Sequence, residues 1–426
     1  MTGSALLRSN RNFLRYFLGD VVSTLGSQLS LLAFPLLVLS LGESVAEAGL
    51  LTSCSLVARL ALRLPAGNLA DRFDWRRLML TTDLVRLVAL GSIPIGSVAG
   101  TLSYQQLLVV AVVEGIGTAI FSPAAGVAVR DVVPKADLTE ALSLSQTVVA
   151  TALLVGPAIG GVLFSVNPIV PFICDAASYA FSAVMLFQLT VRPPKRAPGA
   201  ETDTRFSAGI RWVLGQRSLL WILLHAAVLN LTGAAAEIGV VLTLRSRGES
   251  GSVIGLVMAC AGLGAVLGSA LAPAIVRRCY PGLLFLSLGA AWGAGFALFA
   301  LAPRPALIGA VLIVMMLTIP ATNVVINGAI IGNAPRDLLG RVNTAISTVL
   351  AALAVLGPTL VSLGIQDVGI RATWCVMAVV AGGVAMVTVR PLLRLRQIVQ
   401  PADAPEASAP FEAVPATVNR SAPELA

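Results

Sequence analysis

The chain has 426 residues, of which 57% are hydrophobic and 12% are charged, and its formal net charge is +8. Soluble domains have about 45–50% apolar and about 25% charged residues, so this composition excludes a soluble enzyme, a disordered protein and a collagen-like fibre. A helix needs about 20 apolar residues to cross a hydrocarbon core of about 30 Å. We therefore expect an integral membrane protein.

Twelve apolar runs bounded by Gly, Pro or charge form two sets of six, and we number them spans one to twelve. The first set covers 13–41, 46–70, 78–100, 104–129, 139–166 and 168–191, and the second covers 218–244, 252–276, 281–302, 305–332, 342–365 and 369–389. These runs predict an all-α protein with twelve transmembrane helices. The predicted units are an N-terminal six-helix bundle (1–191), a cytoplasmic linker (192–217), a C-terminal six-helix bundle (218–396) and a disordered cytoplasmic tail (397–426).

The basic residues predict the orientation of these spans. With the N-terminus in the cytoplasm, 22 of the 29 Lys and Arg residues fall on the cytoplasmic side, four fall on the other side and three lie within spans. Cytoplasmic loops collect Lys and Arg, so we expect both termini in the cytoplasm and the protein in the cell membrane. The positive charge therefore reflects topology and not nucleic-acid binding. The five cysteines show no metal-ligand or disulfide spacing, so we predict no metal site.

The two sets of spans also form a repeat. A shift of 201 residues places Gly67 on Gly268 and the pair Gly156-Pro157 on Gly357-Pro358. The same shift places Arg76-Arg77 on Arg277-Arg278. Two parallel six-helix halves with a substrate site between them are typical of major facilitator transporters. We therefore expect two pseudo-symmetric six-helix bundles in the major facilitator fold.

The loop after span two carries the most specific motif, Gly67-Asn-Leu-Ala-Asp71-Arg72-Phe-Asp74-Trp-Arg76-Arg77. It resembles the superfamily's signature loop G-x-L-x-D-R-x-G-R-[KR], with Asp74 where that pattern has Gly. The form is similar to the branch of macrolide-efflux and enterobactin exporters. Gly67 would allow close helix approach, whereas an ordinary basic cytoplasmic loop is the alternative interpretation. The resemblance implies a cytoplasmic gate made of Gly67, Asp71, Arg72, Asp74, Arg76, Arg77, Asp83 and Arg86.

Span five contains a second motif, Gly156-Pro157-Ala-Ile-Gly160-Gly161, which resembles the G-P-x-x-G-G core of the superfamily's antiporter motif. The resemblance implies export rather than uptake. Small residues let helix backbones approach closely, so generic helix packing is the alternative interpretation. The second-half copy, Gly357-Pro358-Thr-Leu-Val, lacks the two later glycines and does not support export.

Polar residues recur at helical spacing in spans one, four, seven and ten. The resemblance implies that these four helices line the central cavity, although such stripes can also hold helices together. The predicted cavity-lining residues are Ser23, Thr24, Ser27 and Gln28 in span one, Thr118 and Phe121 in span four, Asn230 in span seven, and Asn323 and Asn327 in span ten.

Ionisable groups at membrane depth are costly and are functional candidates by default. The proton-coupling candidates are Asp20, Glu114, Asp175 and Glu237. Drug/proton antiporters of the superfamily often carry an Arg in helix four within R-x-x-x-G, and Ala111 stands at that position here. We expect Glu114 or Asp20 to couple transport to protons. For Asp20 and Glu237, the equally supported alternative is a carboxylate that is solvated near the membrane surface.

These features predict a secondary active transporter that exports small amphipathic molecules, such as antibiotics or siderophores, by proton-coupled alternating access. We expect it to act as a monomer, with the proton gradient as energy source and with no cofactor. The chain lacks a G-x-x-x-x-G-K-[ST] loop, which excludes direct coupling to ATP. The alternatives are a lipid or lysophospholipid transporter and a non-transporting receptor or scaffold. An enzyme is the weakest hypothesis, because no nucleophile–base pair or metal constellation is visible.

Overall fold

The computed structural model of the protein describes residues 3–190, 206–301, 304–333 and 339–393. Twelve helices in these ranges are long and apolar enough to cross a membrane, as predicted. Spans one to six are Arg11–Ser40, Val45–Arg72, Trp75–Val98, Tyr104–Val132, Leu138–Val166 and Val170–Phe187. Spans seven to ten are Arg217–Ser246, Gly251–Arg278, Pro281–Leu301 and Pro305–Asn333, and span twelve is Ile370–Leu393.

Span eleven is divided into two helices, Leu339–Ala354 and Gly357–Asp367. The break falls directly before Gly357-Pro358, and a proline lacks the N–H that would continue the hydrogen-bond ladder. In span five the equivalent pair Gly156-Pro157 lies inside one uninterrupted helix. The membrane span predicted over 342–365 is therefore confirmed, and the structure forms it from two consecutive helices.

Three short helical segments add to the predicted pattern. They are the α-helices Gly3–Ser9 and Phe206–Gly215 and the 3₁₀ turn Lys135–Asp137. Phe206–Gly215 lies within the predicted linker and packs on the first part of span eleven. The rest of that linker through residue 205, and the predicted tail over 397–426, lie outside the described residues.

We call the end of the bundle where span one begins and span six ends the linker side. Turns at the other end, the opposite side, are short, and four of them contain a glycine with positive φ. Such a conformation is accessible to glycine at little cost. These glycines are Gly42, Gly100, Gly248 and Gly369. On the same side, Ser44 and Glu47 form a capping box at the start of span two, which satisfies free N–H groups at that helix end.

Helix packing within the two halves follows the repeat. In the first half span two packs on span four, span three on span six, and span one on spans five and six. In the second half span eight packs on span ten, span nine on span twelve, and span seven on spans eleven and twelve. The halves meet mainly where span five crosses span eight and where span two crosses span eleven.

Candidate functional site

A cavity of about 600 Å³ lies between the two halves. Spans one, two and five form its first-half wall, and spans seven to eleven form the rest. Most of the lining is apolar, with the rings of Phe285 and Trp292 on the second-half wall. The polar side chains that line it are Gln28, Thr52, Arg59, Asn230, Glu237, Thr322 and Asn323.

The crossing of spans five and eight closes one side of this cavity. A Cβ atom at Gly161 would overlap the backbone of Gly251 and Gly255, so the two helices touch through their glycines. The Ser252 N–H donates to Ser165 Oγ at 2.8 Å beside this contact. The crossing therefore holds the halves together from the opposite side towards the middle of the bundle.

The predicted antiporter motif lies at this crossing. Gly156 and Gly160 face span one, where a Cβ would meet Gln28 and the backbone of Leu29. Pro157 lines the cavity, and its carbonyl oxygen lies against Gly255 of span eight. Because one motif touches span one, span eight and the cavity, any change in the crossing alters the cavity wall.

Spans two and eleven make the second junction between the halves, also towards the opposite side. The Thr359 hydroxyl donates to Ser53 Oγ at 2.8 Å, and the Ala46 N–H donates to Gln366 Oε1 at 3.1 Å. Nearer the linker side, the Arg63 guanidinium donates to the Ser347 carbonyl at 3.4 Å. These polar contacts supplement close packing and fix the register of the two spans.

A buried ion pair lies inside the first half. Arg86 of span three contacts Glu114 of span four, with Nη2 2.6 Å and Nε 3.0 Å from Oε2. The Tyr179 hydroxyl of span six donates to the same oxygen at 2.9 Å, and its ring centre lies 4.1 Å from the Arg86 guanidinium carbon. Ser27 of span one lies 2.8 Å from the Tyr179 oxygen. Four spans therefore converge on one charge pair.

Three further carboxylates surround this pair. Asp175 is fully buried and accepts hydrogen bonds from Ser30 and Ser178. Asp83 is also fully buried, and neither of its oxygens forms a hydrogen bond with a described residue, although Ser182 of span six lies nearby. Asp20 lies close enough to Asp83 to interact electrostatically. We call Asp20, Asp83, Glu114 and Asp175 the carboxylate cluster, and Arg86 is its ion-pairing cation in the described chain.

The predicted site residues divide between the cavity and the first-half interior. Gln28, Asn230, Asn323 and Glu237 line the cavity. The other predicted cavity residues do not line it: Ser23, Thr24, Ser27, Thr118, Phe121 and Asn327.

The packing of spans one, four and ten accounts for the positions of these residues. Spans one and four turn their polar faces towards other first-half helices, as the contact of Ser27 with Tyr179 demonstrates. Thr118 lies against Arg86, and Phe121 packs on the apolar core at the linker side of this half. Asn327 is exposed elsewhere on span ten.

The loop after span two has local structural roles in this conformation. Asp74 caps span three by accepting from the N–H groups of Arg76 and Arg77 at 2.8 and 3.4 Å. The Arg76 guanidinium donates to the carbonyls of Leu186 and Phe187 at the end of span six. A cation at a helix C-terminus is favourable, so Arg76 joins spans three and six.

The remaining residues of the predicted gate motif lie in different environments. A Cβ atom built on Gly67 would meet no atom of the described residues within 4 Å, so the structure shows no close helix approach at this glycine within that part of the chain. Arg77 is exposed, and Asp83 and Arg86 lie in the first-half interior. The side chains of Asp71 and Arg72 lie outside the described part of the chain.

Sequence reasoning missed Arg59 and Tyr179 as site residues. Arg59 is one of the three basic residues inside spans, and that depth in the membrane was the available signal. Tyr179 carried no comparable signal, because a single tyrosine in an apolar run is common near membrane interfaces. His225, the single histidine, is buried against Thr388 at 2.9 Å and is not part of the cavity lining.

Comparisons with known proteins agree with this architecture. The Major Facilitator Superfamily profile matches residues 16–358. The chain is 27% identical over 416 residues to the multidrug efflux pump Tap of Mycobacterium tuberculosis, covering 93% of this chain and 97% of that protein. It is 28% identical over 178 residues to multidrug resistance protein 1 of Bacillus subtilis, covering 42% of this chain and 44% of that protein.

Solved structures show the same fold at low identity. The nucleoside transporter NupG matches with a TM-score of 0.74 and 12% identity, covering 91% of this chain and all of that one. An inward-facing bacterial homologue of the iron transporter ferroportin matches with a TM-score of 0.71 and 13% identity, covering 90% and 98%. The profile match and the twelve spans establish that this chain belongs to the Major Facilitator Superfamily and is a multi-pass membrane transporter.

Proposed function

We propose that the protein exports small amphipathic molecules across the cell membrane by proton-coupled alternating access. The observation that carries this proposal is the cavity of about 600 Å³ between the halves. Its volume is in the range of about 300–1,000 Å³ found for drug-sized ligands, and its lining combines apolar walls with a few polar groups. In this fold, cargo sites lie between the halves near the middle of the membrane.

The direction of transport is proposed from orientation and from the relatives. The excess of Lys and Arg at the linker side supports a cytoplasmic location for that side. The halves are held together from the middle of the bundle to the opposite side, which is the arrangement expected of a carrier that loads cargo from the cytoplasm. The antiporter motif and the similarity to multidrug efflux pumps support export.

Proton coupling is proposed from the carboxylate cluster. Its four carboxylates share the cation of Arg86, so full ionisation would leave excess negative charge in the membrane interior. An unpaired charge there is costly, and binding protons relieves that cost. Glu114 or Asp20 carries the proton in this proposal. A conformer that binds protons and a conformer that binds cargo would then exchange populations according to their different affinities.

The experiment uses inside-out vesicles that contain the full chain, with an imposed proton gradient and a fluorescent amphipathic cargo. We expect uptake that collapses with a protonophore and falls at least tenfold in the double variant Asp20→Asn/Glu114→Gln. The control is Asp367→Asn, which neutralises an exposed carboxylate at the end of span eleven and should leave uptake unchanged. Proton-driven uptake at the wild-type rate in the double variant would refute the coupling role.

A further inference from the structure

The cavity lining contains two ionisable side chains of opposite charge, one from each half. Arg59 comes from span two and Glu237 from span seven, and the other lining residues are neutral. Both side chains are exposed to the cavity instead of being packed into a helix interface. Among the described residues, the walls of the cavity therefore carry one positive and one negative group.

Neither charge has a bonded partner in the part of the chain that the structure describes. Arg59 and Glu237 interact electrostatically at a distance, but no ion pair or hydrogen bond joins either one to another described residue. The other two basic residues inside spans have partners: Arg86 binds Glu114, and Arg63, one turn from Arg59, binds the Ser347 carbonyl. A charge kept unpaired at membrane depth is costly and is a candidate for ligand recognition.

The two groups recognise different chemistry. A carboxylate such as Glu237 pairs with an amine or another organic cation, and a guanidinium such as Arg59 binds a carboxylate or phosphate through paired hydrogen bonds. A ligand with a single positive charge would satisfy Glu237 and leave Arg59 without a partner. A ligand with both charges satisfies both walls without adding net charge to the cavity.

From this pairing we infer that the cargo is a dipolar amphipath with an apolar body, a cationic group held by Glu237 and an acidic group held by Arg59. This inference rests on the proposed function, in which the cavity carries the cargo. Its apolar body packs against the apolar side chains of the lining as a whole, because Phe285 and Trp292 are only 1% and 2% exposed and offer no open ring face.

Two matched dyes test the charge pattern. Rhodamine B has a cationic xanthene and a free carboxylate, and its ethyl ester keeps the cation and lacks the carboxylate. With the full chain in nanodiscs, fluorescence polarisation should show rhodamine B binding about tenfold more tightly than the ester, a difference of about 1.4 kcal/mol. Equal or tighter binding of the ester by the wild-type protein would overturn the inference.

Three variants assign the contacts. Arg59→Gln should weaken rhodamine B about tenfold and leave the ester unchanged, whereas Arg59→Lys should restore part of the preference. Glu237→Gln should weaken both dyes by the same factor, because both keep the cation. The matched control is Arg63→Gln, which removes a nearby charge that does not line the cavity. A wild-type preference in Arg59→Gln would contradict the role of Arg59.

Two further measurements separate the possible explanations. Lysophosphatidylcholine carries the same two charges, so it should displace rhodamine B from the wild-type protein and lose this ability in Arg59→Gln. Equal displacement from both proteins would contradict the role of Arg59. Proton-driven uptake of the ester in preference to rhodamine B would overturn the dipolar inference and leave the proposed function intact. Binding of rhodamine B without proton-driven transport of either dye would instead contradict the proposed function.

Discussion

The two halves of the protein are built from equivalent helices, but their interiors differ in chemistry. In the first half, Arg86, Glu114 and Tyr179 form a charged network. In the second half, Trp292, Phe296, Phe299 and Trp374 form a connected aromatic cluster. The repeat places Met315 where the first half has Glu114, and the Met315 carbonyl accepts a hydrogen bond from Trp292 at 3.3 Å.

This difference indicates how one fold can divide two tasks. Buried charges are costly, and replacing them with well-packed apolar groups often stabilises a protein. The second half has the apolar solution, and its Trp292 also forms part of the cavity wall. The first half retains buried charges despite their cost. We therefore expect its charged network to serve proton coupling and the aromatic cluster of the second half to serve as rigid support for cargo binding.

The largest effect is expected when the charged network is broken. Arg86→Met should lower the free energy of unfolding by about 3–5 kcal/mol, because Glu114 loses the cation that compensates its burial. Thermal unfolding in detergent measures this loss. The double variant Arg86→Met/Glu114→Leu should recover most of the stability while remaining uncoupled from protons. A single variant as stable as the wild type would show that the pair is not structurally needed.

Transplanting a charge into the second half should also be severe. Met315→Glu places a carboxylate at the position equivalent to Glu114 but without an Arg beside it, and should cost about 3 kcal/mol. Met316→Glu is the matched control, because Met316 lines the cavity and its carboxylate can reach water. We expect the control to lose less than half as much stability in the same unfolding assay. Equal losses would mean that the second-half interior is already hydrated.

A smaller effect is expected within the aromatic cluster. Trp374→Phe keeps an apolar ring but removes the donor to Thr243 Oγ1, which now lies 3.0 Å from the indole nitrogen. Leaving a buried hydroxyl without this partner should cost about 1–2 kcal/mol. The number of protons moved per cargo molecule, measured in proteoliposomes, should not change. A changed ratio would refute the division of tasks between the halves.

The smallest effect concerns the starts of the equivalent spans three and nine. Asp74 caps span three with its side chain, whereas span nine begins at Pro281, whose fixed φ suits the first turn of a helix. Asp74→Ala should therefore lower stability by about 1 kcal/mol, and Asp74→Asn should be nearly neutral. A small shift in melting temperature in detergent measures both. An equal loss of stability in the two variants would mean that the charge of Asp74, and not its capping hydrogen bonds, stabilises the helix.

The positions of the spans could be predicted from the sequence, because lipid forces each backbone polar group to be satisfied within a helix. The side of each helix that faces the cavity could not be predicted in this way. Ser23 and Ser27 have the spacing of one helical face, but span one is covered by protein on two sides, and periodicity does not identify which side is the cavity. Ser27 faces span six, whereas its neighbour Gln28 faces the cavity.

The partners of the buried charges could not be predicted from the sequence either. Arg86 and Glu114 are 28 residues apart on different helices, and only the packing of spans three and four brings them together. The sequence grouped Arg86 with the predicted gate loop that precedes it. A motif shows only which residues are near each other along the chain, and it does not show which helices pack together. The role of Asp74 as a helix cap was also missed, because Asp74 was interpreted only as part of the gate motif, at a position where the superfamily pattern has Gly.

The positive-φ glycines at the opposite side have a consequence for how that side can open. In the described chain, spans one and two, three and four, and seven and eight are joined there by connections of at most five residues. Chain segments this short cannot fold over an entrance. In the proposed transport cycle we therefore expect access from that side to require whole helices to tilt apart, and a rigid cross-link between spans five and eight to block it.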